Sequence, residues 1–240
     1  MLHKTEGIVL GTSQYNDRYS LTHIFTREFG RVTYILPLSK SKKAKIKSSL
    51  FFPLSLLNLE VEHMPLREIQ RLKDAERLIP LYEVCTDMVK VSLSFFLSEF
   101  LNKVLREADD NVLLFDFLKN SVEALEINEK SSANFHIACM IGLTRFLGIY
   151  PNWDINEENC FFDLLKGEFK LMQPAHSYYL NKEQSVYLKY LSRMNYSNMH
   201  LFKFSRSDRN LIIDYLLVFY RLHMYDFPKI KSLDVLRELV

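Results

Sequence analysis

The sequence predicts an α+β protein in which a small five-stranded β-barrel is followed by a helical domain. In the first 80 residues, short runs rich in β-branched and aromatic residues alternate with turn residues, as strands do. After Pro80 the apolar residues recur with the spacing of an α-helix. The charge changes too: residues 1–80 hold 13 Lys and Arg against 8 Asp and Glu, and residues 81–240 hold 18 against 21. We therefore predict two domains, 1–80 and 81–240, with the basic character in the first.

Five segments of the first domain have strand character. The turn residues Asn16 and Asp17 separate the first two, and Gly30 suits a tight hairpin because glycine readily takes a positive φ. Five short strands in about 75 residues favour a barrel over an open sheet. The predicted strands are Thr5–Leu10, Leu21–Thr26, Arg31–Leu36, Phe52–Glu62 and, more weakly, Ile69–Ala75.

The second domain is predicted to be helical, with an insert at about 151–180. In the insert the helical period disappears, and we expect a loop or hairpin with strands at Cys160–Leu164 and Glu168–Met172. Asn111, Ser132 and Ser232 are suitable residues for helix starts. The predicted helices are Val84–Arg106, a second from Asn111 to Ile127, a third from Ser132 to Leu147, Lys182–Met194, Ser207–Tyr225 and Leu233–Leu239.

Composition excludes several classes of protein. Hydrophobic residues make up 48% of the chain, which is enough for a core and unlike a disordered protein. No apolar run approaches the length that a transmembrane helix needs, and Met1–Glu6 becomes polar too early for an export signal. The three cysteines are far apart in sequence, which fits a reduced cytoplasm better than a disulfide framework.

A lysine-rich segment is the main functional signal. Between Ser39 and Ser49 there are five lysines and no acidic residue, and strands are predicted on both sides. A basic loop on a small barrel can bind a polyanion, of which nucleic acid is the most abundant in a cell. The alternative is a solvated loop that only keeps the protein soluble. The lysines are Lys40, Lys42, Lys43, Lys45 and Lys47.

Aromatic and arginine side chains of the first domain extend this hypothesis. Single-strand binding sites combine a basic groove with aromatic rings on which bases stack. The alternative for each ring is a place in the barrel core or, for Phe29, in turn packing. The candidate rings are Tyr15, Tyr19, Phe29 and Tyr34, and the neighbouring cations are Arg18, Arg27 and Arg31.

Metal and catalytic motifs are weak or absent. His136 and Cys139 share a helix face by spacing, but Met140 and Leu143 lie on the same face, so packing is the better interpretation. There is no phosphate-binding glycine loop, no GxSxG and no HExxH, so we predict that the protein is not an enzyme. Asp163 lies in apolar surroundings, either as a cap or as a partnered core acid.

Five segments, taken in order along the chain, form a recognisable set. They are Lys4–Leu10 (KTEGIVL), Phe25–Val32 (FTREFGRV), Pro53–Leu57 (PLSLL), Thr144–Asn152 (TRFLGIYPN) and Lys231–Glu238 (KSLDVLRE). No single segment is highly specific, but together they extend over essentially the whole sequence, and they resemble the family of the DNA repair protein RecO (recombination protein O).

The resemblance implies an OB-fold N-terminal domain and a helical C-terminal domain. It implies binding to single- and double-stranded DNA, annealing of complementary strands, and work with RecR that lets RecA replace single-strand binding protein (SSB). It also implies a bacterial cytoplasmic protein at the nucleoid, without membrane attachment. The alternative is an OB-containing scaffold that acts mainly through protein–protein contacts.

Two further expectations follow from the resemblance. Many members carry a four-cysteine zinc module after the position of Pro151, but Asn152–Asn181 contains only Cys160, so we expect no structural zinc and no cofactor. One zinc per chain by elemental analysis would contradict this. The acidic, apolar tail of SSB is a family ligand of the helical domain, and a groove with cations at its rim suits it. The candidate rim residues are Arg145, Arg221 and Lys231.

Overall fold

The computed structural model describes residues 2–38, 46–106, 110–154 and 160–240. The chain forms two compact units, and the first comprises Met1–Ile127 with Ile230–Leu239. The second comprises Asn128–Lys229 and Val240. Among the described residues, no helix is long and apolar enough to cross a membrane.

The first unit contains a closed barrel with the strand order β1-β2-β3-β5-β4. Neighbouring strands are antiparallel except β3 and β5, which pair in parallel with Thr33 opposite Ile69. Inward-facing residues alternate with outward-facing ones, and the inward set forms the core with Ile24, Tyr34 and Leu59. The strands are β1 (Leu2–Gln14), β2 (Tyr19–Thr26), β3 (Gly30–Pro37), β4 (Leu56–Glu62) and β5 (Ile69–Arg77).

The predicted fold class is confirmed, with corrections to individual elements. The fourth strand begins at Leu56 and not at Phe52, because Leu54 has a φ of 64° that interrupts an extended chain. The first strand continues through polar residues to Gln14, since their backbone pairs with β2 as far as Ser20. The extension follows from pairing with β2, which the residues of β1 alone do not indicate.

The described residues of the first unit also form four α-helices. The helix predicted over Val84–Arg106 is two helices, since Asp87 interrupts it and accepts a hydrogen bond from Lys90 N at 2.8 Å as the cap of the second. Asn111 caps the next helix as expected, by accepting from Leu114 N. The helices are α1 (Tyr82–Thr86), α2 (Met88–Val104), α3 (Val112–Ile127) and α7 (Leu233–Leu239).

The predicted boundary near residue 80 coincides with the change from strands to helices. β5 ends at Arg77 and α1 begins at Tyr82. The first compact unit instead continues to Ile127. Since α2 packs against both β1 and α7, these helices belong to the same unit as the barrel. A domain limited to 1–80 therefore stays a prediction.

In the part of the second unit that the structure describes, three α-helices combine with a small sheet. The sheet has the order β7-β6-β8, and its first two strands form the hairpin predicted in the insert. The third, β8, has two residues and was not predicted. Tyr220 of α6 donates a hydrogen bond to Met140 O of α4 at 2.7 Å. The elements are α4 (Phe135–Phe146), β6 (Phe161–Asp163), β7 (Glu168–Lys170), β8 (Tyr179–Leu180), α5 (Lys182–Leu191) and α6 (Arg206–His223).

A carboxylate on α2 caps the N-terminus of α7. Glu99 accepts hydrogen bonds from Lys231 N at 2.9 Å and from Ser232 N at 2.8 Å and Oγ at 2.6 Å. Burial raises the pKa of Glu99, but these hydrogen bonds and the charge of Lys103 outweigh it, so the pKa lies below its usual value. The ionised form therefore holds α7 in the first unit.

We expect Glu99→Gln to lower the free energy of unfolding by about 1–3 kcal/mol near neutral pH. Because the folded-state pKa of Glu99 is depressed, its contribution is present above the unfolded pKa and is lost as pH falls through the folded pKa. Urea unfolding of both proteins between pH 7 and pH 3 should show the difference shrinking in acid. Glu238→Gln, an exposed acid of α7, is the matched control and should change stability little. A difference that is constant with pH would contradict the capping role.

Candidate nucleic-acid interface

The tip of the β1–β2 hairpin is held by its own hydrogen bonds. Tyr15 N and Asn16 N both donate to Tyr19 O, at 3.0 and 3.1 Å. The Asn16 side-chain oxygen accepts from Arg18 N and Tyr19 N, each at 2.9 Å. The tip is therefore a defined turn, and the Arg18 side chain is exposed on it.

The lysine-rich segment begins beside this tip. Pro37 pairs with Tyr19, and Leu38 N donates to Arg18 O at 2.7 Å. Where the described chain resumes, Ile46 packs against the barrel core and Lys47 is exposed. The other four predicted contacts, Lys40, Lys42, Lys43 and Lys45, lie outside the described residues.

Arg27 and Arg31 contact helices of their own unit. Arg27 forms an ion pair with Asp116 of α3, which raises the pKa of the arginine, and lies over the Phe115 ring at 5.6 Å. Arg31 Nε donates to Asn102 of α2 at 2.9 Å. Burial, and then the charge of Arg106, lower the pKa of Arg31. Both guanidiniums thus have intramolecular partners away from the hairpin tip, and a DNA contact for them stays a prediction.

Two of the four candidate rings have packing roles. Tyr34 is 0% exposed in the barrel core, and burial raises the pKa of its hydroxyl. Phe29 stacks on His63 with ring centroids 4.1 Å apart and meets His3 edge-on at 5.3 Å. Tyr15 and Tyr19 differ from both, because they are exposed at the hairpin tip.

Further exposed cations lie on β5, and they are not among the contacts predicted from the sequence. Arg71 and Lys73 occupy outward positions of the strand, and Arg77 ends it. Lys73 pairs with Glu62 at 2.9 Å, while Arg77 donates to Ser49 O at 3.1 Å, close to the end of the lysine-rich segment. Their alternation with inward residues is visible in the sequence and could have indicated them.

A cleft of about 800 Å³ opens elsewhere on the first unit. Two of its three cations lie within ion-pair distance of its own Glu6, Lys119 at 3.0 Å and Arg27 at 3.8 Å. The remaining carboxylates make it unfavourable for a polyanion. The charged lining residues are Lys4, Arg27 and Lys119 against Glu6, Glu28, Glu60, Asp74 and Glu76.

The second unit contains a small apolar cleft between α4, α5, α6 and the sheet. Trp153 Nε1 and the Tyr215 hydroxyl, in two of its lining residues, are buried without a hydrogen-bond partner among the described atoms. Trp153 meets Tyr150 edge-on at 6.0 Å, and the Arg145 guanidinium lies 4.7 Å from the Tyr150 ring centroid. Arg145 is therefore linked to the cleft through two rings.

The other two predicted rim residues are exposed. Arg221 lies in the last turn of α6, in the same unit as the cleft. Lys231 belongs to the first unit, where its backbone N–H contacts Glu99. Their partner-binding roles stay predictions, and no signal in the sequence had indicated Trp153 or Tyr215.

Aromatic packing and the buried carboxylate of Asp163 stabilise the β6–β7 hairpin of the second unit. Asp163 accepts from Leu165 N and Lys166 N, and its other oxygen lies 3.3 Å from His176 Nε2. Asp163 is therefore both a turn cap and a partnered acid. Phe162 contacts Trp153 and Phe169.

These residues do not fit the four-cysteine zinc module. Cys160 is buried, and the Asn152–Asn181 segment has no other thiol. Within the described ranges, no group of three or more His, Cys, Asp or Glu side chains could hold a metal ion.

Comparison with known proteins identifies the family. The family model described as Recombination protein O N terminal matches residues 1–80, and the model described as Recombination protein O C terminal matches residues 85–234. Proteins named DNA repair protein RecO from Azobacteroides pseudotrichonymphae and Phocaeicola vulgatus are 42% and 41% identical to this chain. A third from Bacteroides fragilis is 40% identical, and each match covers 100% of this chain and 99% of the relative. The chain therefore belongs to the RecO family of DNA repair and recombination proteins.

Proposed function

We propose that this chain is a DNA-binding mediator of recombinational repair. It binds single- and double-stranded DNA, anneals complementary strands and, with RecR, helps to load RecA on SSB-coated single strands. The observation that carries the proposal is the lysine-rich segment, whose described flanks are Leu38, bonded to the exposed Arg18, and the exposed Lys47. Membership of a repair family supports it.

The proposed mechanism requires positive charge and weak contacts with two DNA strands, but it requires no formation or cleavage of covalent bonds. Lysines that neutralise phosphates reduce the repulsion between two strands and release their counterions. Contacts to phosphate carry no sequence information, so any complementary pair can be held and aligned. Such a protein acts at the bacterial nucleoid, in the cytoplasm, and is not an enzyme.

Annealing of complementary strands coated with the cognate SSB tests this function. One strand carries a fluorophore and the other a quencher, so that pairing lowers the fluorescence. We expect the full chain to accelerate annealing and added RecR to promote RecA loading on the coated strand. A rate equal to that of SSB-coated strands alone would contradict the proposal.

We further propose that the acidic, apolar tail of SSB binds the apolar cleft of the second unit. The cleft supplies an apolar floor, and the buried Trp153 Nε1 and Tyr215 hydroxyl are two groups that can hydrogen-bond a carboxylate. Arg145 supplies the cation at the rim, and Arg221 is a second candidate. Lys231, in the other unit, is kept as a separate candidate.

We expect Arg145→Ala to weaken binding of a labelled SSB-tail peptide about tenfold, the loss of roughly one charge-assisted contact. Fluorescence anisotropy with the full chain measures the affinity. Arg193→Ala, which removes an exposed arginine from the same unit, is the matched control and should bind like the original protein. Equal losses in both variants would indicate general charge attraction and would contradict a defined site.

The alternative function is an OB-fold scaffold that works mainly through protein–protein contacts. The cleft on the first unit favours it, because five carboxylates line it and suit a basic protein surface better than DNA. Titration of the full chain with single-stranded DNA over a range of salt separates the two. Steeply salt-dependent binding supports the DNA mediator, and an absence of binding at low salt supports the scaffold.

A further inference from the structure

We infer that Tyr15 and Tyr19 form a stacking platform for unpaired bases and give the barrel a preference for single strands over duplex. The inference rests on the proposed DNA binding and adds a determinant of strand form to it. Tyr15 is 57% exposed and Tyr19 is 40% exposed, and both lie on the turn that adjoins the lysine-rich segment.

The exposure of these rings is unusual within their own barrel. Phe25, Tyr34 and Phe51 are buried there, as large aromatic residues usually are. Two apolar residues lie beside Tyr19 on the neighbouring strand, since Pro37 pairs with it and the next residue, Leu38, is 44% exposed. A patch of rings and apolar side chains in water is suited to contact with the flat faces of bases.

The tip is held in shape before any ligand binds. The hydrogen bonds from Tyr15 N and Asn16 N to Tyr19 O, and those to the Asn16 side chain, fix the backbone on which the rings stand. A preorganised platform loses less conformational entropy on binding than a loose loop does.

The tip itself carries no net charge, because Arg18 and Asp17 are both exposed on it. Its distinguishing feature is therefore the two exposed rings, with Arg18 as one candidate phosphate contact beside them. Most of the phosphate neutralisation is assigned to the lysine-rich segment, and the tip contributes ring faces. In a duplex the base faces are covered by their neighbours, so only unpaired bases can use the platform.

The test compares Tyr15→Ala, Tyr19→Ala and the double variant with the original full chain. Fluorescence anisotropy is measured with a single strand, a duplex of the same length and a single strand of abasic sites, at several salt concentrations. Each substitution should weaken single-strand binding by about fivefold to 150-fold, the range for loss of one stacked base. Duplex and abasic-strand binding should change less than twofold, and the salt slope should stay the same.

Three controls make the result specific to stacking. Tyr15→Phe and Tyr19→Phe keep the ring and should retain single-strand affinity. Tyr82→Ala removes a 73% exposed tyrosine from α1 of the same unit and should leave it unchanged. Thermal melts should agree with the original, since the truncated side chains are exposed.

The inference is overturned if the alanine variants weaken binding of the abasic strand or the duplex as much as that of the ordinary single strand. It is also overturned if they leave single-strand binding unchanged while the original protein binds DNA. If the original protein binds no DNA at low salt, the proposed function itself fails, and the two failures are thereby distinguished.

Discussion

Replacing the five lysines Lys40, Lys42, Lys43, Lys45 and Lys47 with alanine should make DNA binding much weaker and much less dependent on salt. If each lysine neutralises one phosphate of a single strand, the slope of log affinity against log salt loses about 0.7 per contact, or roughly 3–4 units in all. The affinity at low salt should fall the most, because counterion release contributes most there. Binding isotherms of the full chain at a series of salt concentrations measure both quantities.

A control of equal charge separates a defined site from overall charge. Replacing five exposed cations of the second unit removes the same charge and should leave the slope nearly unchanged. These cations are Lys130, Lys166, Arg193, Lys203 and Lys229. If both variants lower the slope equally, the lysine-rich segment is not a site of its own.

The lysines should also be interchangeable, since they read phosphate and not sequence. Each single alanine variant should lower the slope by about 0.7. The double change Lys43→Ala with Ala44→Lys moves the charge by one residue and should restore the original affinity. A loss that persists in this double variant would mean that the position of the charge matters, and would contradict the nonspecific mechanism.

Gly7→Ala should destabilise the first unit by about 1–3 kcal/mol, which is the usual cost of overpacking a core. A Cβ atom at this position would lie 2.6 Å from Ile24 Cγ2 and 2.7 Å from Leu59 Cδ1. Gly7 pairs with Thr26 on one side and Leu57 on the other, so the backbone has little room to move. Elsewhere glycine-to-alanine changes can stabilise a protein through the unfolded state, so the sign of the effect tests the packing.

Urea unfolding measures this cost, and a second substitution tests its cause. Leu59→Val removes Leu59 Cδ1, one of the two atoms that the new methyl group would contact most closely. Gly7→Ala should therefore cost less in the Leu59→Val background than in the original protein. Equal costs in the two backgrounds would mean that the contact with Leu59 does not explain the effect. Ser13→Ala, at an exposed position of β1, should be nearly neutral.

Local signals in the sequence were sufficient for the order and type of most elements. The alternation around Val32 and Tyr34 predicted β3, and the cap at Asn111 predicted the start of α3. The helix predicted over Leu233–Leu239 is found with those bounds. These signals lie within a few residues of the element that they determine, because side-chain period and capping are local properties.

Signals that depend on distant partners were missed or left open. The extension of β1 depends on pairing with β2, and the two-residue β8 depends on pairing with β6. The sequence left Asp163 as a cap or a partnered acid, and only the fold brought it to both Leu165 N and His176. His176 is thirteen residues from Asp163 in the sequence, and no local pattern of residues indicates a hydrogen bond over that separation.

The candidate site divides in the same way. The sequence by itself determined the family resemblance, the basic character of the first 80 residues and the lysine-rich segment, because these are properties of composition and order. Only the tertiary structure separated Arg18, exposed on the hairpin tip, from Arg27 and Arg31, which contact Asp116 and Asn102. It likewise separated the exposed Tyr15 and Tyr19 from Tyr34 in the core. The physical reason is that burial and charge pairing arise when strands close into a barrel and helices pack on it, which brings together residues far apart in the chain.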